Sequence, residues 1–316
     1  MIIGQTLAVK TSYTEFRPII ELGAKIHRTK FPSGDQPCHL LSLSAGIYNT
    51  GDMPTPYCTA LKALIGIVHR LNIVVVGAND GKTNDPIYNF TMKQSRKTQV
   101  LLIEPNAALL PYLRESYSSH PCHQIANCAI GKDGVLTLYA IKEDWWSTFQ
   151  PHYAKEWPVY RAATGITSAT REHLEAFIAS HTDLDPEQAI QILCVPSNTL
   201  TTLLTKLNWP TPIDVLQIDT EGHDDSIIYA SNLELTRPKL IYFEYRHIPP
   251  GNVKPLLTFL SSHHYRLYEM DGDALAVDSR KNLSSIYLNT MARSKPKCNI
   301  LWGKMWHGKK LQPIEY

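Results

Sequence analysis

Long hydrophobic runs are missing from this 316-residue chain: its most apolar window, Leu61 to Ala78, is broken by Lys62, His69, Arg70 and Asn72. A membrane span of about 20 apolar residues is therefore excluded. Met1–Gln5 lacks the basic segment and apolar stretch of a secretory leader, so a cytoplasmic, non-spanning protein is expected. Surplus charge is also missing, because 31 Lys+Arg against 29 Asp+Glu leave a formal +2. Bulk charge therefore argues for neither a nucleic acid nor an anionic membrane surface as partner. None of the six cysteines, Cys38, Cys58, Cys122, Cys128, Cys194 and Cys298, forms a C-x-x-C pair, which suits a reducing compartment and small buried hydrophobes. There is no internal repeat, and neither the His120/His123 nor the His263/His264 group has partners at a recognised metal spacing. His120, His123, His263 and His264 are expected at the surface or at helix ends, and no metal site is expected.

What is present begins with Asn72-Ile73-Val74-Val75-Val76-Gly77-Ala78-Asn79-Asp80-Gly81. An uninterrupted β-branched run reads as a strand buried on both faces, and glycines after it let backbone N–H groups approach a ligand. In an open α/β sheet, ligands bind at the carboxyl ends of such strands. Asn84 or Asp85 can cap a following helix with Pro86 in its first turn, and Gln99 to Glu104 reads as the second strand of a βαβ unit.

Further on, the pattern predicts a helix at 106–118 and strands near 123–128 and at 134–141, joined by the turn Gly131-Lys132-Asp133-Gly134. An aromatic-rich insertion at about 142–190 follows, lying over the sheet edge, with Trp145, Trp146, Phe149, Tyr153, Trp157 and Tyr160 and a helix from 170 to 181. Alternation resumes with strands at 192–195, 213–219 and 239–245, separated by helices at 199–208 and 224–231. A helix at 253–263 and strands at 265–270 and 274–278 close the pattern. The expected fold is α/β: a Rossmann-like, doubly wound, mostly parallel sheet with an antiparallel edge pair turned at Asp271-Gly272-Asp273. Residues 1–70 read as an N-terminal helical extension with helices at 13–29 and 55–71, residues 71–280 as the main domain, and 281–316 as a basic tail.

Glu104 ends the second strand beside the glycine loop, where a carboxylate can accept both hydroxyls of a ribose. The loop is Gly-x-Asn-x-Gly and lacks the G-x-G-x-x-G that seats a pyrophosphate, so S-adenosylmethionine fits better than NAD. A second cluster, Ile213 to Asp224, drops Asp219, Glu221, His223 and Asp224 into a short loop after a strand. Asp219 should point into the crevice, and His223 has the titration range of a proton acceptor.

Together Val76–Gly81, Ile103-Glu104-Pro105-Asn106, Asn127-Cys128-Ala129-Ile130-Gly131, Asn198-Thr199-Leu200, Ile218–Asp224 and Pro238–Glu244 resemble FkbM-type S-adenosylmethionine-dependent methyltransferases over roughly residues 72–278. The resemblance implies a seven-stranded methyltransferase sheet and S-adenosylmethionine as cofactor. It implies cofactor contacts at Gly77, Ala78, Asn79, Asp80, Gly81, Glu104, Pro105, Asn106, Asn127, Ala129 and Asp219. The activity it implies is methylation of a hydroxyl, often on a sugar or glycosylated metabolite. The chain departs from the pattern at Gln217, where lysine is usual, and at Asp224, where glutamate is usual.

For that chemistry, His223, oriented by Asp219 or Glu221, would take the acceptor's proton while Glu244 helps hold the acceptor. Asp219 could instead contact the cofactor. The aromatic insertion with Arg161 would form a lid stacking on the acceptor, or else a packed flap or dimer contact. A metal-dependent nucleotide-sugar glycosyltransferase using Asp271-Gly272-Asp273 and a catalytically inactive cofactor-binding module are the rival readings. The expected partner is a small-molecule or glycan acceptor; the sequence leaves the oligomeric state open.

Overall fold

The computed structural model describes residues 56–150, 155–270, 273–280, 299–302, 304–307 and 310–313. The helix expected at 13–29, Tyr153, the Asp271-Gly272 turn, Cys38, Cys298 and most of the basic tail lie outside these residues.

The strands are β1 (Leu71–Val76), β2 (Thr98–Ile103), β3 (His123–Ala126), β4 (Ala129–Ile130), β5 (Gly134–Ile141), β6 (Ile190–Asn198), β7 (Val215–Ile218), β8 (Leu240–Glu244), β9 (Tyr265–Met270), β10 (Asp273–Asp278) and β11 (Asn299–Trp302). The main sheet has the order β3-β2-β1-β7-β8-β10-β9-β11. From β3 to β8 it is parallel. The antiparallel β10 is inserted between β8 and β9, and β11 adds a further antiparallel strand outside the seven. A separate antiparallel pair joins Lys304–His307 to Lys310–Pro313.

Successive residues of the central strands enter opposite cores. Val74 and Val76 of β1, Leu101 and Ile103 of β2, and Leu216 and Ile218 of β7 face helices 200–206, 224–230 and 250–262. Ile73, Val75, Val100, Leu102 and Val215 face the other way, toward Tyr57, Leu61 and Leu64 of helix Pro56–Ile65 and toward Leu113 and Tyr117. Both faces being covered is why the strands read as continuous apolar runs. Helix Pro56–Ile65 is shorter than the predicted 55–71, because the chain turns after Ile65 and enters β1 at Leu71.

The chain runs outward from β1 through β2 to β3 and returns to β7 on the other side of β1. The strand order reverses there, which opens a crevice at the carboxyl ends of β1 and β7.

Two predicted strands are placed differently from the expected alternation. β5 and β6 pair antiparallel with each other, and β4 pairs parallel with β6, in a separate three-stranded sheet. Val135 and Ile192 are exposed. The alternating pattern of 134–141 marks a sheet with one wet face, whereas β1 and β2 are continuously apolar. The 131–134 turn exists, but it joins strands that flank β6 on either side. Helix 88–93 begins beyond Asp85, whose Oδ1 accepts from the N–H groups of Ile87 at 2.8 Å and Tyr88 at 2.9 Å.

Asp273 pairs in register with Met270, and its side chain accepts a hydrogen bond from the Tyr242 hydroxyl. His120 is buried rather than at the surface, with Nε2 3.0 Å from Thr98 Oγ1, while His263 sits at a helix end as expected. Cys58, Cys122, Cys128 and Cys194 form no disulfide with one another. Among the described residues, no helix is long and apolar enough to cross a membrane.

The amino ends of the central strands are tied by Asp214, whose Oδ2 accepts from the Asn72 N–H at 2.7 Å while Oδ1 pairs with Lys239. Asp214→Ala should lower the unfolding free energy by about 2–4 kcal/mol, because a buried strand N–H and a lysine lose their partner. Lys239→Met, which keeps the Asn72 bond, should cost less. Urea denaturation of both variants measures the difference.

Candidate functional site

Gly77 adopts φ +78°, and a Cβ built on it would lie 1.9 Å from the Asp219 carbonyl oxygen. Only glycine lets the ends of β1 and β7 approach this closely. The chain then turns through Asn79, whose N–H donates to Glu104 Oε2 at 2.7 Å, while the Asn106 N–H donates to Oε1 at 2.7 Å. Glu104 is only 4% exposed, and burial pushes its carboxyl up to about 7 against the pull of these two N–H groups and of Arg161. Asn127 holds the following backbone, donating from Nδ2 to the carbonyls of Glu104 at 2.9 Å and Pro105 at 3.0 Å.

Gly77, Asn79, Glu104, Pro105 and Ala129 line one cleft. Ala78, Asp80, Gly81, Asn106 and Asn127 do not line it. Asp80 shapes the loop, accepting from the N–H groups of Lys82 at 3.0 Å and Thr83 at 2.9 Å and from Tyr160 Oη at 3.1 Å. Gly81, at φ +69°, makes room for packing, since its Cβ would meet Leu113 Cδ1 at 2.5 Å.

The second loop supplies the opposite wall. Asp219, Glu221 and His223 line the same cleft; Glu244 does not. The Asp219 carboxylate accepts no hydrogen bond among the described residues. Burial, then the charges of Glu221, Glu244 and Asp224, hold its pKa well above the usual carboxylate range.

His223 Nε2 lies 3.1 Å from Thr170 Oγ1, and burial lowers its pKa, so it is neutral near pH 7. Thr170, not Asp219 or Glu221, is thus its hydrogen-bonding neighbour. Glu221 instead meets His247, whose Nδ1 is 2.9 Å from Glu221 Oε2 and 2.9 Å from Glu244 Oε2. Those two carboxylates raise His247 to about 10. Sequence reasoning missed His247, although it stands three residues beyond Glu244 at a strand's carboxyl end, where this architecture gathers functional groups.

The two positions that depart from the family pattern are both structural. Asp224, fully buried, accepts from the Thr220 N–H at 3.0 Å and from the Glu244 N–H at 2.9 Å, stapling the ends of β7 and β8 together. Gln217 lies on the other face of the sheet, accepting from Tyr57 Oη at 3.2 Å and donating to Asp85 at 3.4 Å.

The insertion reaches the cleft by its polar residues. Trp146 and Phe149 are buried in a core of its own with Leu174 and Ile178, Trp145 packs against that core, and Tyr160 stacks on Tyr112 at 4.1 Å. Arg161, Thr164, Thr167 and Ser168 line the cleft, and none of the insertion's described aromatic residues does. Arg161 Nε donates to the Thr83 carbonyl at 3.0 Å, Asn79 Nδ2 to Thr164 Oγ1 at 3.2 Å, and Ser168 Oγ to the Glu221 carbonyl at 3.4 Å. The segment is thus fastened to both loops.

The profile of the methyltransferase FkbM domain matches residues 76–267, more than half of the chain. The chain belongs to the FkbM methyltransferase family. Its cofactor is accordingly S-adenosylmethionine. The cleft suits that molecule, offering a buried carboxylate at its floor and a glycine corner without room for a side chain. A comparison with curated proteins returns no match.

Among solved structures, human methyltransferase-like protein 13 in complex with S-adenosylhomocysteine is 11% identical to this FkbM methyltransferase. The match covers 80% of this chain and 93% of that one, with a TM-score of 0.37. The fibrillarin pre-rRNA processing protein of Methanococcus jannaschii is 10% identical over 72% of this chain and 76% of its own, with a TM-score of 0.36. The M. capricolum TrmK complex with S-adenosylhomocysteine is 11% identical over 74% and 81%, with a TM-score of 0.33.

If Glu104 receives the ribose hydroxyls, it would bind them more strongly ionised than protonated. With the carboxyl at about 7, affinity for S-adenosylhomocysteine should rise about tenfold from pH 6 to pH 8. Glu104→Gln should bind more weakly and lose this slope. Calorimetric titration across the pH range reads both.

Proposed function

We propose that this FkbM methyltransferase transfers a methyl group to a hydroxyl of a sugar or glycosylated metabolite. The observation that carries the reading is a neutral, half-buried histidine, His223, on the same cleft as the ribose-type acceptor Glu104. S-adenosylmethionine supplies an electrophilic methyl on a sulfonium. The protein's residues have to hold both partners, exclude water and take a proton.

Glu104 would accept from the ribose hydroxyls, with Gly77 and Asn79 giving backbone access beside it. Arg161 is the lone lysine or arginine among the residues lining the cleft, and it would meet the cofactor's carboxylate. The Asp219 carboxylate, with no donor of its own among the described residues, would accept from the cofactor's ammonium group. His223 would donate its Nε2 proton to Thr170 Oγ1, leaving Nδ1 to receive the proton of the attacking hydroxyl. A neutral imidazole can do this near pH 7; a protonated one cannot.

The polar lining from Thr164, Thr167 and Ser168 suits a hydroxyl-rich acceptor better than a flat apolar one. The test is transfer from methyl-labelled cofactor to a panel of glycosides and polyols, with amines and thiols as controls. Transfer to hydroxyls is expected, and His223→Ala should lower kcat about 10²–10⁴-fold with little change in S-adenosylhomocysteine affinity. Transfer to amines alone, or cofactor binding without turnover on the whole panel, would overturn the reading. The second outcome is what an inactive cofactor-binding module would give.

Arg161 carries a separate consequence. Arg161→Met should weaken S-adenosylhomocysteine at least about tenfold while leaving 5′-methylthioadenosine, which has no carboxylate, nearly unaffected. Parallel titrations of the two ligands distinguish this from general loosening of the cleft.

A further inference from the structure

We propose that Glu221, Glu244 and His247 form a binding site for a divalent cation at the rim of the cleft. The imidazole Nδ1 of His247 lies 2.9 Å from a carboxylate oxygen of each glutamate, and one ligand atom from each residue falls within 4.8 Å of the other two. Donors about 2.1 Å from a common ion sit about 3.0 Å apart at right angles and about 4.2 Å apart when opposite. The two nitrogen–oxygen distances therefore match adjacent positions of a coordination shell, and the glutamate oxygens lie within 4.8 Å of each other.

The frame that holds them is stiff. Glu221 lies at φ +52° beside Gly222 at φ +96°, where a Cβ would come within 2.8 Å of the His247 carbonyl oxygen. Glu244 is anchored by its N–H on Asp224, which also holds the Thr220 N–H, so one buried side chain fixes the spacing of the two glutamate-bearing segments. Such second-tier support is what orients ligands around a metal.

Two basic groups flank the site, Arg246 with Nε 3.3 Å from Glu244 Oε1 and His173 with Nε2 3.7 Å from Glu221 Oε2. Asp219 neighbours Glu221 and Glu244, lines the cleft and has no hydrogen-bond donor on its carboxylate among the described residues. Without an ion, His247 as an imidazolium serves both glutamates. With one, its Nδ1 proton leaves to solvent and the nitrogen takes the metal instead.

Two carboxylates and one imidazole suit Mn²⁺ or Zn²⁺ better than the all-oxygen preferences of Mg²⁺ and Ca²⁺. Glu221 lines the cleft whereas Glu244 and the exposed His247 do not, so an ion held here would meet the cleft through Glu221. This extension rests on the hydroxyl-methylation reading: an acceptor oxygen reaching the ion would lose its proton more readily.

The test uses Mn²⁺ alone, titrated into the chelator-treated full chain and followed by the electron paramagnetic resonance signal of the free ion. One site per chain is expected, with affinity lowered at least about tenfold in both Glu244→Gln and His247→Ala. S-adenosylhomocysteine titrations of the same samples show that each variant is folded. No stoichiometric Mn²⁺ uptake by wild type, or uptake unchanged in both variants, overturns the proposal. Failure of wild type to bind S-adenosylhomocysteine while Mn²⁺ still binds would count against the methyltransferase mechanism and leave the ion site standing.

Discussion

The cleft depends on one close approach, the backbone of Gly77 lying against the carbonyl of Asp219. These residues end β1 and β7, the neighbours between which the strand order reverses. Any side chain at Gly77 would push the two ends apart, since its Cβ would fall 1.9 Å from that oxygen. With the ends together, Asn79 reaches Glu104 on one side and Asp219, Glu221 and His223 stand opposite. The remaining elements serve this junction. Two apolar cores hold the sheet between helices, Asp214 ties its amino ends, and Asp224 ties the carboxyl ends of β7 and β8.

The electrostatics follow from the same crowding. Glu104, Asp219 and Asp224 are all pushed toward protonation by burial, and Asp219 also by its acidic neighbours. Positive charge arrives from the insertion and from the segment after β8, where Arg246 also stands 3.3 Å from Glu244. Arg161 comes from the insertion, and His247 from beyond β8. A cationic cofactor suits such a site, because the acids that repel one another in the empty cleft gain a partner when it binds.

Much of this was legible in the chain itself. The runs Ile73–Val76 and Leu101–Ile103 announce buried parallel strands, and the glycine corner and Glu104 that follow them do line one cleft. Less legible was whatever long-range packing decides. The alternation in 134–141 and 190–198 marks a half-exposed antiparallel sheet, yet local pattern does not say which sheet a strand joins. The aromatic residues of 142–160 looked like a ligand surface, but Trp145, Trp146, Phe149 and Tyr160 pack in or against a separate core, and Trp157 lies under the Arg161 guanidinium, whose Cζ is 5.9 Å from the ring centroid. His247 became visible only when β8 brought it beside Glu221, and Asp224 looks like an active-site acid until its three backbone and hydroxyl donors are seen.

The central claim is that the two strand-end loops and the insertion together enclose one cofactor site. Hydrogen–deuterium exchange of the full chain with and without S-adenosylhomocysteine tests it directly. The account predicts new protection in 77–81, 104–106 and 127–131, in the insertion segment 161–169 and in 219–223. Protection confined to other parts of the chain, or none at saturating ligand, would contradict it.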